Sequence, residues 1–192
     1  MRENRGDQER DPFARLCHTH RRIEERLDDL QRGAAEVGDE AKRGEALDAI
    51  FNVLGFFERA GARHHDDEEE SLFPRLRSAA SHPGVDHAAA ARACRQLAEI
   101  LAALTAEHRE HDAVYAELLS LAHSVPQTGP DDGYAARLQA TAKRFAQLYR
   151  AHIRREEDEL FPAAARALDA KTIGDLAREM SERRPDRGTH GK

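Results

Sequence analysis

"HHDDEEESLFPRL" at residues 64–76 and "HIRREEDELFPAA" at residues 152–164 share one skeleton. His64 aligns with His152, Glu68 with Glu156, Glu69 with Glu157, Leu72 with Leu160, Phe73 with Phe161 and Pro74 with Pro162, all at a constant offset of 88 residues. Carried outward, the same offset superposes Phe13 on Leu101, Leu16 on Leu104, His20 on His108, Leu30 on Leu118, Ile50 on Leu138 and Phe57 on Phe145 without a gap. Heptad-like spacing can align apolar positions by chance. It does not also align histidine with histidine and glutamate with glutamate. The chain therefore reads as a duplicated helical hairpin.

The apolar residues recur by threes and fours, as one face of an α-helix requires. The first stripe is Phe13, Leu16, Cys17, His20, Ile23, Leu27 and Leu30, opened by Asp11 as N-cap and Pro12 at the first helical position. A loop is expected over Gly33 to Gly44. A second helix follows from about Glu45, with Leu47, Ile50, Leu54, Phe57, Gly61, His64 and Glu68 inward, and Pro74 is expected to end it by disfavouring helix at Phe73. After "SHPGVD", a third helix from about His87 carries Cys94, Leu97, Leu101, Leu104, His108, His111, Tyr115 and Leu118, stopping before "SVPQTGPDDG". A fourth, from about Gly133, turns Leu138, Ala142, Phe145, Tyr149, His152 and Glu156 inward and is expected to end at its own "LFP". A short fifth helix spans about Lys171 to Arg183. The expected fold class is all-α: an antiparallel up-down four-helix bundle over residues 12–168. A disordered lead-in (1–11) precedes it, and a short helix with a polar tail (169–192) follows.

Composition agrees with that class. At 192 residues the chain suits one domain, and 40% hydrophobic with 34% charged residues, no Trp and few β-branched runs favours amphipathic helices. With a formal net charge of −6 and interleaved signs, it presents no basic stripe for a phosphate backbone, so nucleic acid is not an expected partner. No apolar run approaches the roughly 18 residues of a membrane span, and no signal-peptide core follows the charged N-terminus. A soluble cytoplasmic protein is expected. Cys17 and Cys94 are too few for a disulfide framework and read as buried thiols.

The chemistry lies in the polar residues on the buried faces. In each HxxxE pair the two side chains emerge one turn apart on one face and can grip a single centre. Two buried carboxylates, Glu68 and Glu156, repel each other and cost several kcal/mol unless a positive charge lies between them. Neutral imidazoles do not supply it. A pair of divalent cations does, with Glu68 and Glu156 bridging and His20, His64, His108 and His152 as end ligands. His111, which replaces Ile23 under the offset, shares a face with His108 and is expected as a further ligand, or else as a hydrogen-bonding neighbour of a bound species or a ligating carboxylate, or as a core histidine bonded to a neighbouring helix. His18 and His65 fall off the apolar stripes and read as exposed. His82, His87, His123 and His190 read as surface, and the acidic run Asp66 to Glu70, apart from Glu68, as a solvated face. Phe57, Phe145 and Tyr149 read as packing. There is no HExxH, and no inward ExxH.

One inward His on helix 1, HxxxE before "LFP" on helix 2, His on helix 3 and HxxxE before "LFP" on helix 4 together resemble the hemerythrin-like HHE cation-binding family, over roughly residues 12–168. The resemblance implies a four-helix bundle around a non-haem, oxo- or hydroxo-bridged di-iron centre that meets dioxygen, nitric oxide or peroxide. Spacing alone leaves zinc and manganese open. The chain departs from the oxygen-carrying members, which have HxxxH on helix 3 and HxxxxD on helix 4 where this one has "HREH" and HxxxE. It is closer to the branch associated with repair of iron centres under nitrosative stress. The expected function is a di-iron protein that binds, senses or detoxifies such small molecules. The alternatives are an iron donor or store for damaged centres, and a metal-free helical interaction module.

Overall fold

The computed structural model describes residues 11–81, 87–124 and 132–184. The expected lead-in over residues 1–10, the "HPGVD" and "VPQTGPD" breaks, the tail from residue 185, His82, His190 and the side chain of His87 lie outside them. Helix α1 is Pro12–Glu36, with the Asp11 side chain capping the Phe13 N–H and Pro12 in the first turn. Helix α2 covers residues 43–80, α3 is His87–His123, α4 covers residues 132–167, and the short α5 is Ala170–Glu182. Among the described residues there is no strand, and no helix is long and apolar enough to cross a membrane. Helix α1 packs against α2 and α4, and α3 against the same two, closing a four-helix bundle with α5 laid on one end.

Helix α1 runs four residues further than expected, through Glu36 and into the segment assigned to a loop. Gly33 and Ala34 are buried there against α2. A Cβ on Gly33 would stand 3.1 Å from the Ala46 carbonyl oxygen and 3.1 Å from Ile50 Cγ1, so a side chain here would push the two helices apart by a few tenths of an ångström.

The prolines do not end their helices as expected. Helix α2 proceeds through Arg43–Phe56, a π-helical turn Phe57–Gly61, Ala62–Asp66, a second π turn Asp67–Leu72, and then Phe73–Ala80. Helix α4 does the same: Asp132–Arg155, the π turn Glu156–Leu160, then Phe161–Ala167. Pro74 and Pro162 fall directly after the π turns, in the first turn of the resumed α-helix, where the hydrogen-bond pattern changes and a residue without an N–H is accommodated. Phe73, with φ −62° and ψ −40°, stays helical. Each π turn inserts an extra residue beside the polar layer, and such insertions recur at functional sites.

Two apolar clusters form the core. One gathers Ile23, Leu27, Ile50, Leu54, Leu118, Leu138 and Phe145; the other gathers Leu16, Leu72, Phe73, Leu101, Leu104, Leu160 and Phe161, joined by Leu176 and Met180 of α5. Residues paired by the 88-residue offset are buried together, Leu30 with Leu118 and Phe57 with Phe145 among them. Between the clusters, along every bundle helix, lies a layer of buried polar side chains.

Candidate metal centre

That layer contains His20 from α1, His64 and Glu68 from α2, His108 and His111 from α3, and His152 and Glu156 from α4, none more than 3% exposed. The apolar stripes carry these positions inward. The π turns place both carboxylates, since Glu68 lies within Asp67–Leu72 and Glu156 opens Glu156–Leu160.

The donor atoms fall into two groups of four. His20, His64, Glu68 and Glu156 each offer one ligand atom within 4.8 Å of the others; so do Glu68, His108, His152 and Glu156. Both carboxylates belong to both groups. His20 Nε2 is 3.1 Å from Glu156, His64 Nε2 3.4 Å from Glu68, His108 Nε2 3.4 Å from Glu68, and His152 Nε2 3.3 Å from Glu156. His108 and His152 face each other through their Nε2 atoms at 3.2 Å. Two ligand atoms at right angles, each about 2.1 Å from one first-row ion, stand about 3.0 Å apart, close to these separations.

Satisfaction of polar atoms points the same way. Among the described residues, nine buried side-chain nitrogens and oxygens have no hydrogen-bond partner, and seven of them belong to His20, His64, Glu68 and Glu156. Unpaired atoms in such a place cost about 1–3 kcal/mol each, and a cation satisfies them together. The acidities agree. Burial, and then the charge of Glu156, push the Glu68 carboxyl well above its ordinary range. Burial also raises Glu156, but His152 and His20 outweigh it and hold that carboxyl low. Burial, followed by neighbouring imidazoles, keeps His64, His65 and His108 below their usual value. His64 and His108 thus resist gaining protons, and Glu68 beside Glu156 resists being bare, which is the electrostatic demand of a cation site.

The outward nitrogens are held as well. Nδ1 of His20 meets Glu157 at 2.9 Å, Nδ1 of His108 meets Glu69 at 2.6 Å, and Nδ1 of His152 meets Glu107 at 2.9 Å. A carboxylate on the outer nitrogen fixes the tautomer and turns the inner lone pair toward a metal. Glu157 is steadied by Arg21 at 3.0 Å and Glu107 by Arg155.

These buried donors fit a metal site, and comparison with known families agrees. The hemerythrin HHE cation-binding domain matches residues 11–164. The chain belongs to the hemerythrin HHE cation-binding family. Comparison with curated proteins gives no match.

Several residues of this hemerythrin domain depart from their sequence expectations. Asp67, read as solvated, is fully buried, because Arg183 at 3.2 Å and Arg184 at 2.5 Å, beyond the end of α5, pair with its two oxygens. Glu69, read the same way, is exposed as expected, but its carboxylate also bonds His108. His65, read as exposed, is half-buried, its ring stacked on His108 with centroids 4.0 Å apart. Glu157 and Glu107 have no role in the sequence reading; for Glu157 the repetition of Glu69 88 residues earlier is the signal. His18 and His123 are exposed, as expected. Cys17 and Cys94 are half-buried thiols, and burial raises Cys17 to about 11. His111 joins neither four-atom group: its ring stacks on Tyr149 at 3.9 Å and stands 4.9 Å from His152. Burial, then His152 and His108, bring it down to about 3. The Leu148 backbone favours its charged form slightly, without hydrogen-bond geometry to either ring nitrogen.

Proposed function

We propose that this chain holds two iron ions, one between His20 and His64 and the other between His108 and His152, with Glu68 and Glu156 bridging both. It uses them to bind, sense or detoxify a small molecule of the dioxygen, nitric oxide or peroxide class. The sharing of both buried carboxylates by two four-residue groups carries this reading. A single-ion site needs only one such group, whereas a pair of ions needs a carboxylate common to both.

Iron is the metal that the resemblance to the hemerythrin-like family implies, and the mixed imidazole–carboxylate donor set is compatible with it. Held there, iron supplies open coordination positions and one-electron chemistry. The residues do the rest. His20, His108 and His152 are oriented through Glu157, Glu69 and Glu107, and the apolar clusters on either side keep bulk water from the layer.

His64→Ala and Glu156→Ala test the assignment by metal analysis. Each removes a donor from a core held by apolar packing, so iron content should fall while helicity persists, with a lower Tm as bound metal no longer stabilises the fold. Full occupancy in both variants would show the donor set to be wrong.

A further inference from the structure

The duplication provides an internal control, because each residue beside the polar layer has a counterpart 88 positions away. On one side stand Ile23 and Ile153, both buried in the apolar cluster. Their counterparts are His111 and His65. Likewise Gly61 corresponds to Tyr149, and Leu27 to Tyr115. The helices repeat, but one flank of the layer is aliphatic and the other is built of polar rings.

Those rings stack in a series. His111 lies on Tyr149 with 12° between planes, and His65 lies near-parallel to both, at 5.7 Å from His111 and 5.9 Å from Tyr149. They border a cavity of about 240 Å³. At its outer rim are the exposed residues Glu58, Ala62 and Asp112; its floor is Phe57, His111 and Tyr149, all buried. His111 is 1% exposed and neither of its ring nitrogens has a hydrogen-bond partner. An imidazole offers a donor on one nitrogen and an acceptor on the other, and here both go unused at the cavity floor. Tyr149 Oη has only a long contact, 3.4 Å, with His65 Nε2.

Three features define the occupant. A water takes up about 30 Å³ and drug-sized ligands need cavities of about 300 Å³ or more, so this volume is small for an organic cofactor and ample for a molecule of a few heavy atoms with accompanying water. The rim carboxylates of Glu58 and Asp112 disfavour anions. The unused donor and acceptor of His111 favour a molecule with oxygen or nitrogen lone pairs.

We propose that this cavity is the port through which a small uncharged oxygen- or nitrogen-bearing molecule reaches the metal centre, arriving on the His108–His152 side with His111 as the positioning hydrogen-bond partner. The Ile23–Ile153 side is closed to it. The destination rests on the metal-centre reading above; the port itself is defined by the cavity and the unpartnered histidine.

Two measurements on the full chain test it. In the iron-loaded, reduced protein, nitric oxide is the probe, and Ala62→Phe narrows the rim without touching a proposed ligand. Its association rate should drop about tenfold or more with iron content unchanged, while Ile23→Ala on the opposite flank leaves the rate alone. His65→Ile, which copies the closed side, should slow association in the same way and stands in if Ala62→Phe fails to fold. In the zinc-loaded, diamagnetic protein, dissolved dioxygen should broaden the NMR signals of Ala62 and Tyr149 more than those of Ile23 and Ile153. An unchanged rate in the rim variants, or equal broadening on the two flanks, overturns the port. Failure of the wild-type chain to take up iron would overturn the metal-centre reading, and the broadening experiment would still judge the cavity.

Discussion

Nδ1 of His108 lies 2.6 Å from a carboxylate oxygen of Glu69, an exposed residue one position beyond the buried Glu68. The offset of 88 reproduces the relationship, with Glu157 beside Glu156 bonding His20 at 2.9 Å. Each half of the chain therefore contributes one inward carboxylate and, next to it in sequence, one outward carboxylate that orients a histidine of another helix. Glu69→Gln and Glu157→Gln should each keep the fold and weaken metal binding about 10- to 100-fold, the usual effect of removing such an orienting partner. Competition with a chelator measures it; unchanged affinity in both would remove these glutamates from the site.

The C-terminal helix lies beyond the matched family domain yet ties down the turn that carries Glu68. Arg183 and Arg184 pair with buried Asp67, Arg183 also meets Ser71 at 2.7 Å, and Glu179 binds Ser71 at 2.9 Å and Arg75 at 3.0 Å. Removing both arginines leaves a buried carboxylate without a counter-charge. Arg183→Ala with Arg184→Ala should cost about 3 kcal/mol or more in urea unfolding. Adding Asp67→Asn, which removes the stranded charge, should recover part of that loss. No recovery would show that the arginines act through some other contact.

Without metal, stability should fall as pH falls from 7 to 5. The imidazoles of His64, His65, His108 and His111 all lie below their ordinary value in the fold, chiefly through burial. The unfolded chain therefore gains protons on them below about pH 6.5 where the folded chain does not, and stability is lost as pH drops. Glu68, raised by burial and Glu156, works in the opposite direction, but as one group against four. Thermal melts of metal-free protein across this range check the slope; a Tm that rises on acidification would contradict it.

Much of the architecture was legible in the sequence, for an identifiable reason. Helical periodicity brought Leu16, His20 and Ile23 onto one face and put His64 and Glu68 on the inward face of the second helix, and the duplication repeated that pair at His152 and Glu156. What escaped depended on two things that periodicity does not encode. The π turns shift helical phase, so Asp67, off the stripe of an ideal α-helix, ends buried beside Glu68, and Pro74 and Pro162 sit within continuous helices. The other is long-range pairing: Arg183 meets Asp67 across 116 residues, and Glu107 meets His152 across 45. His65 shows both effects, being off the stripe of α2 and yet stacked on His108 of α3.

The central claim is that two metal ions share Glu68 and Glu156. Metal analysis per chain, on full-length protein purified from iron-supplied cells, tests it most directly. Two iron ions per chain are expected, with Glu156→Ala losing both together because that carboxylate serves both groups. One ion or none in the wild-type chain would contradict the paired centre.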